Sequence, residues 1–201
     1  MTETIIFDFD RVLVQFETEE MTKHYIHDPA DVQLAAPIIF DRLYWDRSDE
    51  GTMTDEEIKD AFCKRLPERL RKGSCEVMDH WYLHLTPIEE MAQLVRDLKS
   101  QGKKLYLLSN ISNNFADGYT QNPSLKALLE LFDGLVFSAK IHMVKPHREI
   151  FEYLLNRYEL QPNECTFIDD NPANVNTAKE LGMQVYLFDG SAEKLRTFLY
   201  R

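Results

Sequence analysis

The chain is short of positive charge: 23 Lys and Arg stand against 34 Asp and Glu, a formal net charge of -11. That balance argues against nucleic acid or an anionic membrane surface as a general partner, because both attract surplus cations. A small anionic substrate would need positive charge supplied locally. Cysteine is scarce too. Cys63, Cys75 and Cys165 are too few and too scattered for a disulfide framework, and their spacing matches no zinc motif, so a reducing compartment is expected. No stretch approaches the roughly 18 apolar residues of a membrane span. TETIIFDFD after Met1 has no cationic start, and its apolar run stops at Asp8, so no signal peptide is expected either. Repeats and low-complexity tracts are absent. At 201 residues, 44% hydrophobic and 28% charged, the chain has enough material for one soluble, cytoplasmic domain with a real core and a small insertion. The sequence specifies no oligomeric state.

Five short apolar runs end in polar residues: IIFD at 5–8, KLYLLSN at 104–110, GLVFSA at 134–139, CTFIDD at 165–170 and MQVYLFD at 183–189. Unbroken apolar runs of this length read as buried parallel strands. Amphipathic stretches with helix signals alternate with them. Thr86-Pro87 followed by Glu89 and Glu90 predicts a helix start, with Gly102 as its stop; Pro146 opens a second helix, and Asn171-Pro172 a third that ends at Gly182. The alternation predicts an α/β fold, a doubly wound (Rossmann-like) parallel sheet with sites at the carboxyl ends of its strands. Residues 15–85 depart from the pattern. They hold several helical candidates, among them the capping box Thr54-Asp55-Glu56-Glu57, where one crossover helix would suffice. The expected division is therefore a core of 1–14 and 86–201 with a small inserted α-helical cap at 15–85, leaving the sheet where it can cover a ligand.

Polar groups collect at the predicted strand ends. Asp8 and Asp10 lie two apart in extended chain, so both carboxylates can face one cleft, an arrangement that needs a cation or a shared proton. A lone Asp-x-Asp after a strand is otherwise an ordinary turn. Ser109-Asn110 offers a hydroxyl and N–H groups to phosphate oxygens, or simply a helix cap. Asp169-Asp170 can hold a divalent cation or cap the helix that follows. Lys145, before Pro146, is biased to extended geometry in a loop, where a plain surface lysine is the alternative. Each bland reading is respectable alone; the ordered series of acid pair, serine, lysine and acid pair is much more specific.

That series, DFDRV, LSN, VKP and IDDN with suitable intervals, resembles the haloacid dehalogenase-like hydrolase superfamily over almost the whole chain. Within it the chain looks most like the phosphatase branch with a helical cap, the small sugar-phosphate phosphatases and the phosphatase domain of soluble epoxide hydrolases. The resemblance implies Asp8 as a nucleophile that forms an aspartyl-phosphate and Asp10 as general acid and base. It implies Mg²⁺ held by Asp8, the Asp10 carbonyl, Asp169 and Asp170, and phosphate held by Ser109, Asn110 and Lys145. The expected partner is a small phosphorylated metabolite, with neither nucleic acid nor membrane. Asp10 favours ester hydrolysis over C–halogen cleavage, because a departing alkoxide needs a proton and halide does not. A sugar phosphomutase on the same core and a non-catalytic, phosphate-responsive interaction protein are the alternative functions.

Position 11 departs from the pattern: Arg11 stands where small residues such as Gly or Asn are usual, and Val12 replaces a common Thr. Arg11 is read as a surface residue, or as a partner for a cap acid or a substrate anion. His80 and His84 have i,i+4 spacing, yet zinc would need a third ligand that the sequence does not provide. Tyr44 and Trp45 read as cap packing, while Trp45 and Arg47 are the residues to test if the cap selects substrate.

Overall fold

The structure, a computed structural model, describes residues 3–200. Seven strands form: β1 (Thr4–Phe7), β2 (Val14–Gln15), β3 (Thr86–Pro87), β4 (Lys104–Ser109), β5 (Gly134–Phe137), β6 (Cys165–Asp169) and β7 (Gln184–Leu187). The main sheet is parallel, in the order β5-β4-β1-β6-β7. Side chains alternate across it and supply two separate apolar layers. Ile5, Phe7, Leu105 and Leu107 pack with the helices Glu89–Ser100, Pro123–Leu129 and Ala192–Leu199. Ile6, Tyr106, Leu108 and Phe167 pack with Arg148–Arg157 and Pro172–Glu180. Burial on both faces is why these strands carry continuous apolar runs. The chain leaves β1 toward β4 on one side, while β6 pairs on the other, which puts the topological switch point at the carboxyl end of β1.

Between Thr18 and His84 the chain is helical, and its entry and exit strands, β2 and β3, pair antiparallel with Val14 opposite Pro87. Thr54 and Glu57 make the expected reciprocal capping box on helix Asp55–Cys63. The apolar layer on the first face of the sheet runs on without a break into this helical insert, through Met21, Trp45, Phe62 and Val77.

Three expected local features differ. Thr86 and Pro87 do not start a helix but form β3, because pairing with β2 claims them, and the helix begins at Glu89. Pro146 lies two residues ahead of helix Arg148–Arg157, whose N-cap position is His147. His80 closes helix Glu68–His80 and His84 sits in a 3₁₀ turn, so the helical i,i+4 geometry does not form. His84 instead stacks on His24 at 3.6 Å and hydrogen-bonds Tyr25 at 2.9 Å. Cys63 and Cys75, distant in sequence, bring their sulfurs to 3.8 Å as free thiols.

Candidate active site

Parallel pairing continues past β1, where the Asp8 N–H donates to Ile168 O at 2.9 Å. That bond carries the Asp8 carboxylate to the sheet edge, where the residue is 7% exposed. The chain then turns tightly. Leu13 N–H donates to Phe9 O at 2.8 Å and Arg11 N–H to Val14 O at 3.0 Å. Arg11 occupies the left-handed region with φ 55°, which is the physical reason small residues suit that position. Its guanidinium is exposed and lies 3.7 Å from both Asp10 and Asp170, two acids of the site rather than one from the insert.

Lys145 is no surface lysine: it is 4% exposed, and its ammonium donates to Asp8 Oδ1 at 2.6 Å and Asp169 Oδ2 at 2.8 Å. The Lys145–Pro146 peptide is cis. Asn110 fixes the lysine's backbone reciprocally. Its Nδ2 donates to Lys145 O at 2.8 Å, and its Oδ1 accepts from Lys145 N at 2.8 Å. Asp169 is fully buried, accepting from Asn171 N at 2.8 Å and from Asn174 Nδ2 at 3.0 Å. Asn174 was not foreseen. It stands one turn into the helix capped by Asn171, and only the fold brings its amide onto Asp169.

Asp8, Asp10, Asn110, Lys145 and Asp170 line one cleft of about 770 Å³. Ser109 and Asp169 lie behind that surface; the Ser109 hydroxyl, 1% exposed, lies 3.4 Å from Asn110 O. The insert also lines the cleft, with Phe16, Phe40, Trp45 and Trp81. Trp45 is also a packing residue, stacked on Phe40 at 4.9 Å with its indole N–H on Ile39 O at 2.8 Å. Tyr44 faces Arg65 rather than the cleft, and Arg47 is exposed and outside it.

Burial pushes Asp8 up to about 7; Lys145 opposes the shift and Asp169 adds to it. Burial likewise raises Asp10 to about 6, against Arg11 and with Asp170. Asp170 is raised for the same reason, with the charge of Asp169 adding. Burial works against the charge of Lys145, yet Asp8 and Asp169 outweigh it and hold the ammonium above its ordinary value. One lysine thus faces two buried carboxylates, leaving negative charge without a counterion. Oxygens of Asp8, Asp169 and Asp170 lie within 4.8 Å of one another, and Asp10 Oδ1 is buried without a partner among the described residues. An all-oxygen donor set of this kind fits a hard divalent cation.

The profile of the haloacid dehalogenase-like hydrolases matches residues 2–182. The chain belongs to that family. A sesquiterpene phosphatase of Aspergillus oryzae is 35% identical over 99 residues, 49% of each chain. Bifunctional epoxide hydrolase 2 of Mus musculus is 32% identical over 98 residues, 47% of this chain and 18% of that protein. These matches therefore span half or less of the relatives concerned. A D-ribitol-5-phosphate phosphatase of Bacteroides thetaiotaomicron is 23% identical over 198 residues, 96% of this chain and 95% of that one. A family enzyme from the same organism, solved with magnesium and inorganic phosphate, superposes with a TM-score of 0.71 at 20% identity and full coverage of both chains. That likeness is one of fold.

Proposed function

We propose that this hydrolase releases phosphate from small phosphomonoesters of the sugar or polyol phosphate class, with residues 15–85 as a cap over a core of 1–14 and 86–201. The observation that carries this reading is the ion-paired set of Asp8, Lys145 and Asp169 beside the open cleft. The Asp8 carboxylate attacks phosphorus, forming a phosphorus–oxygen bond as the bond to the leaving oxygen breaks. Asp10 gives that oxygen its proton. Water then attacks the aspartyl-phosphate, returns a proton to Asp10 and frees Asp8 and inorganic phosphate. Lys145 turns from its two carboxylates toward the phosphoryl oxygens, helped by Ser109 and by the backbone N–H of Asn110. Mg²⁺ on Asp8, Asp169, Asp170 and the Asp10 carbonyl would neutralise the acids and polarise the phosphoryl group. The named relatives that act on D-ribitol 5-phosphate and sesquiterpene phosphates support ester hydrolysis.

The test is phosphate release from sugar, polyol and aryl phosphates with Mg²⁺ and with chelator, by wild type and Asp8→Asn. Release is expected only from wild type with the metal. Release that survives both chelation and Asp8→Asn overturns the mechanism, and an isomeric sugar phosphate in place of free phosphate identifies a mutase.

A further inference from the structure

The insert reaches back onto the core at one corner, and that corner carries a carboxylate. Helix Arg42–Asp49 ends where the buried Ser138 hydroxyl, just past β5, donates to the backbone carbonyl of Asp49 at 2.5 Å. The same hydroxyl accepts from Ile111 N at 2.8 Å, in the loop that carries Asn110. The His142 ring bonds Glu50 O at 3.1 Å. Gly51, at φ 67°, approaches so closely that a Cβ there would lie 2.6 Å from Ala139 O. Successive residues of the insert are therefore fixed to the sheet's carboxyl edge, and the position of Asp49 is fixed with them.

Asp49 lines the same cleft as Asp8 and Asp10, and its side chain makes no hydrogen bond or ion pair to any described residue. Arg42, the cation that acts on it, spends its guanidinium on Asp46 at 2.7 Å. Asp49 also stands outside the Asp8, Asp169 and Asp170 cluster. A partly desolvated polar group without a partner is costly and rare, and a ligand that satisfies it accounts for its survival.

We infer that Asp49 is a specificity-determining residue that receives a hydroxyl of the leaving group, so that the preferred esters are phosphates of polyols or sugars rather than of isoprenoid alcohols. The inference rests on the phosphatase reading and assigns its leaving-group side. A hydroxyl both donates and accepts, matching the unpartnered oxygens of the Asp49 carboxyl. The faces of Phe16 and Phe40 take the C–H side of a polyol chain. An isoprenyl group would fill the same volume but leave the Asp49 carboxyl unsatisfied, and sites built for a hydroxyl reject analogues lacking it.

The decisive comparison pairs D-ribitol 5-phosphate with a ten-carbon isoprenyl monophosphate on wild type, Asp49→Ala and Asp49→Asn. Asp49→Ala should lower the ratio of kcat/KM for polyol over isoprenyl ester at least about tenfold, mainly through KM of the polyol ester. Asp49→Asn, which keeps shape and hydrogen-bonding capacity, should keep part of the preference. A ratio unchanged by both variants overturns the inference, as does an equal loss on both esters. Equilibrium binding of D-ribitol 5-phosphate to the full chain in the Asp8→Asn background provides a second arm. There, Asp49→Ala should weaken binding about tenfold even if no ester is hydrolysed, an outcome that fails the phosphatase reading while upholding this one. Unaltered binding, or no binding before Asp49 is changed, overturns it.

Discussion

Lys145 Nζ lies 2.6 Å from Asp8 Oδ1, 137 residues away in sequence, and the same ammonium lies 2.8 Å from Asp169. Three buried charges, two negative and one positive, are locked together at the carboxyl ends of adjacent strands. Replacing the lysine with Met leaves both carboxylates buried without a cation. Breaking such a group from one side costs about 3–5 kcal/mol, so Lys145→Met should lower unfolding stability by that order in urea titration, besides abolishing turnover. Lys145→Arg should keep the charge and much of the stability without restoring activity, because a planar fork cannot replace a compact ammonium in this space.

The excess of acid predicts a metal response. Mg²⁺ should raise the melting temperature, since a ligand at 100 times its Kd stabilises by about 2.7 kcal/mol. Asp170→Asn, half-buried and without the Lys145 contact, should lose most of that shift yet melt near wild type in chelator. Thermal scans with and without Mg²⁺ check both expectations.

Asp10 offers a test by leaving group. A general acid matters most where the departing oxygen is basic, contributing about 10²–10⁴ in rate. Asp10→Asn should therefore slow an alkyl phosphate by that range and p-nitrophenyl phosphate far less, as read from kcat/KM on each.

Burial raises Asp49 from 3.8 to about 8, opposed by Arg42 and reinforced by Asp46, Asp10 and Asp8. Between those two values the folded chain holds more protons on this residue than the unfolded one. Its contribution to stability is therefore fully present below the lower value and is lost as pH rises through the upper one. Asp49→Asn escapes the loss. Its melting temperature should match wild type near pH 4 and exceed it increasingly up to about pH 8, when the pair is melted across that range.

The strands were legible because burial on both faces demands unbroken apolar runs, and five such runs became the main sheet. Asp8, Asp10, Asn110, Lys145 and Asp170 could be singled out because each stands at or near the end of such a run or beside a proline that fixes its loop. Where local signals competed with pairing, they lost. Thr86-Pro87 carries helix-start chemistry, yet two backbone partners in β2 made it a strand. The burial of Lys145 was invisible as well, since a lysine before proline looks alike in solvent and in a core.

The sequence by itself determined the sheet, the helical insert and the order of the reacting groups, because periodicity, capping and strand-end chemistry are local properties written in consecutive residues. Only the tertiary structure decided what the insert contributes. Asn174 reaches Asp169 from the next helix, Ser138 holds the backbone of Asp49, and Asp49 lines the same cleft as Asp8. These relationships join segments between five and 89 residues apart. No local pattern encodes them, because they exist only once packing has fixed how the insert sits on the sheet.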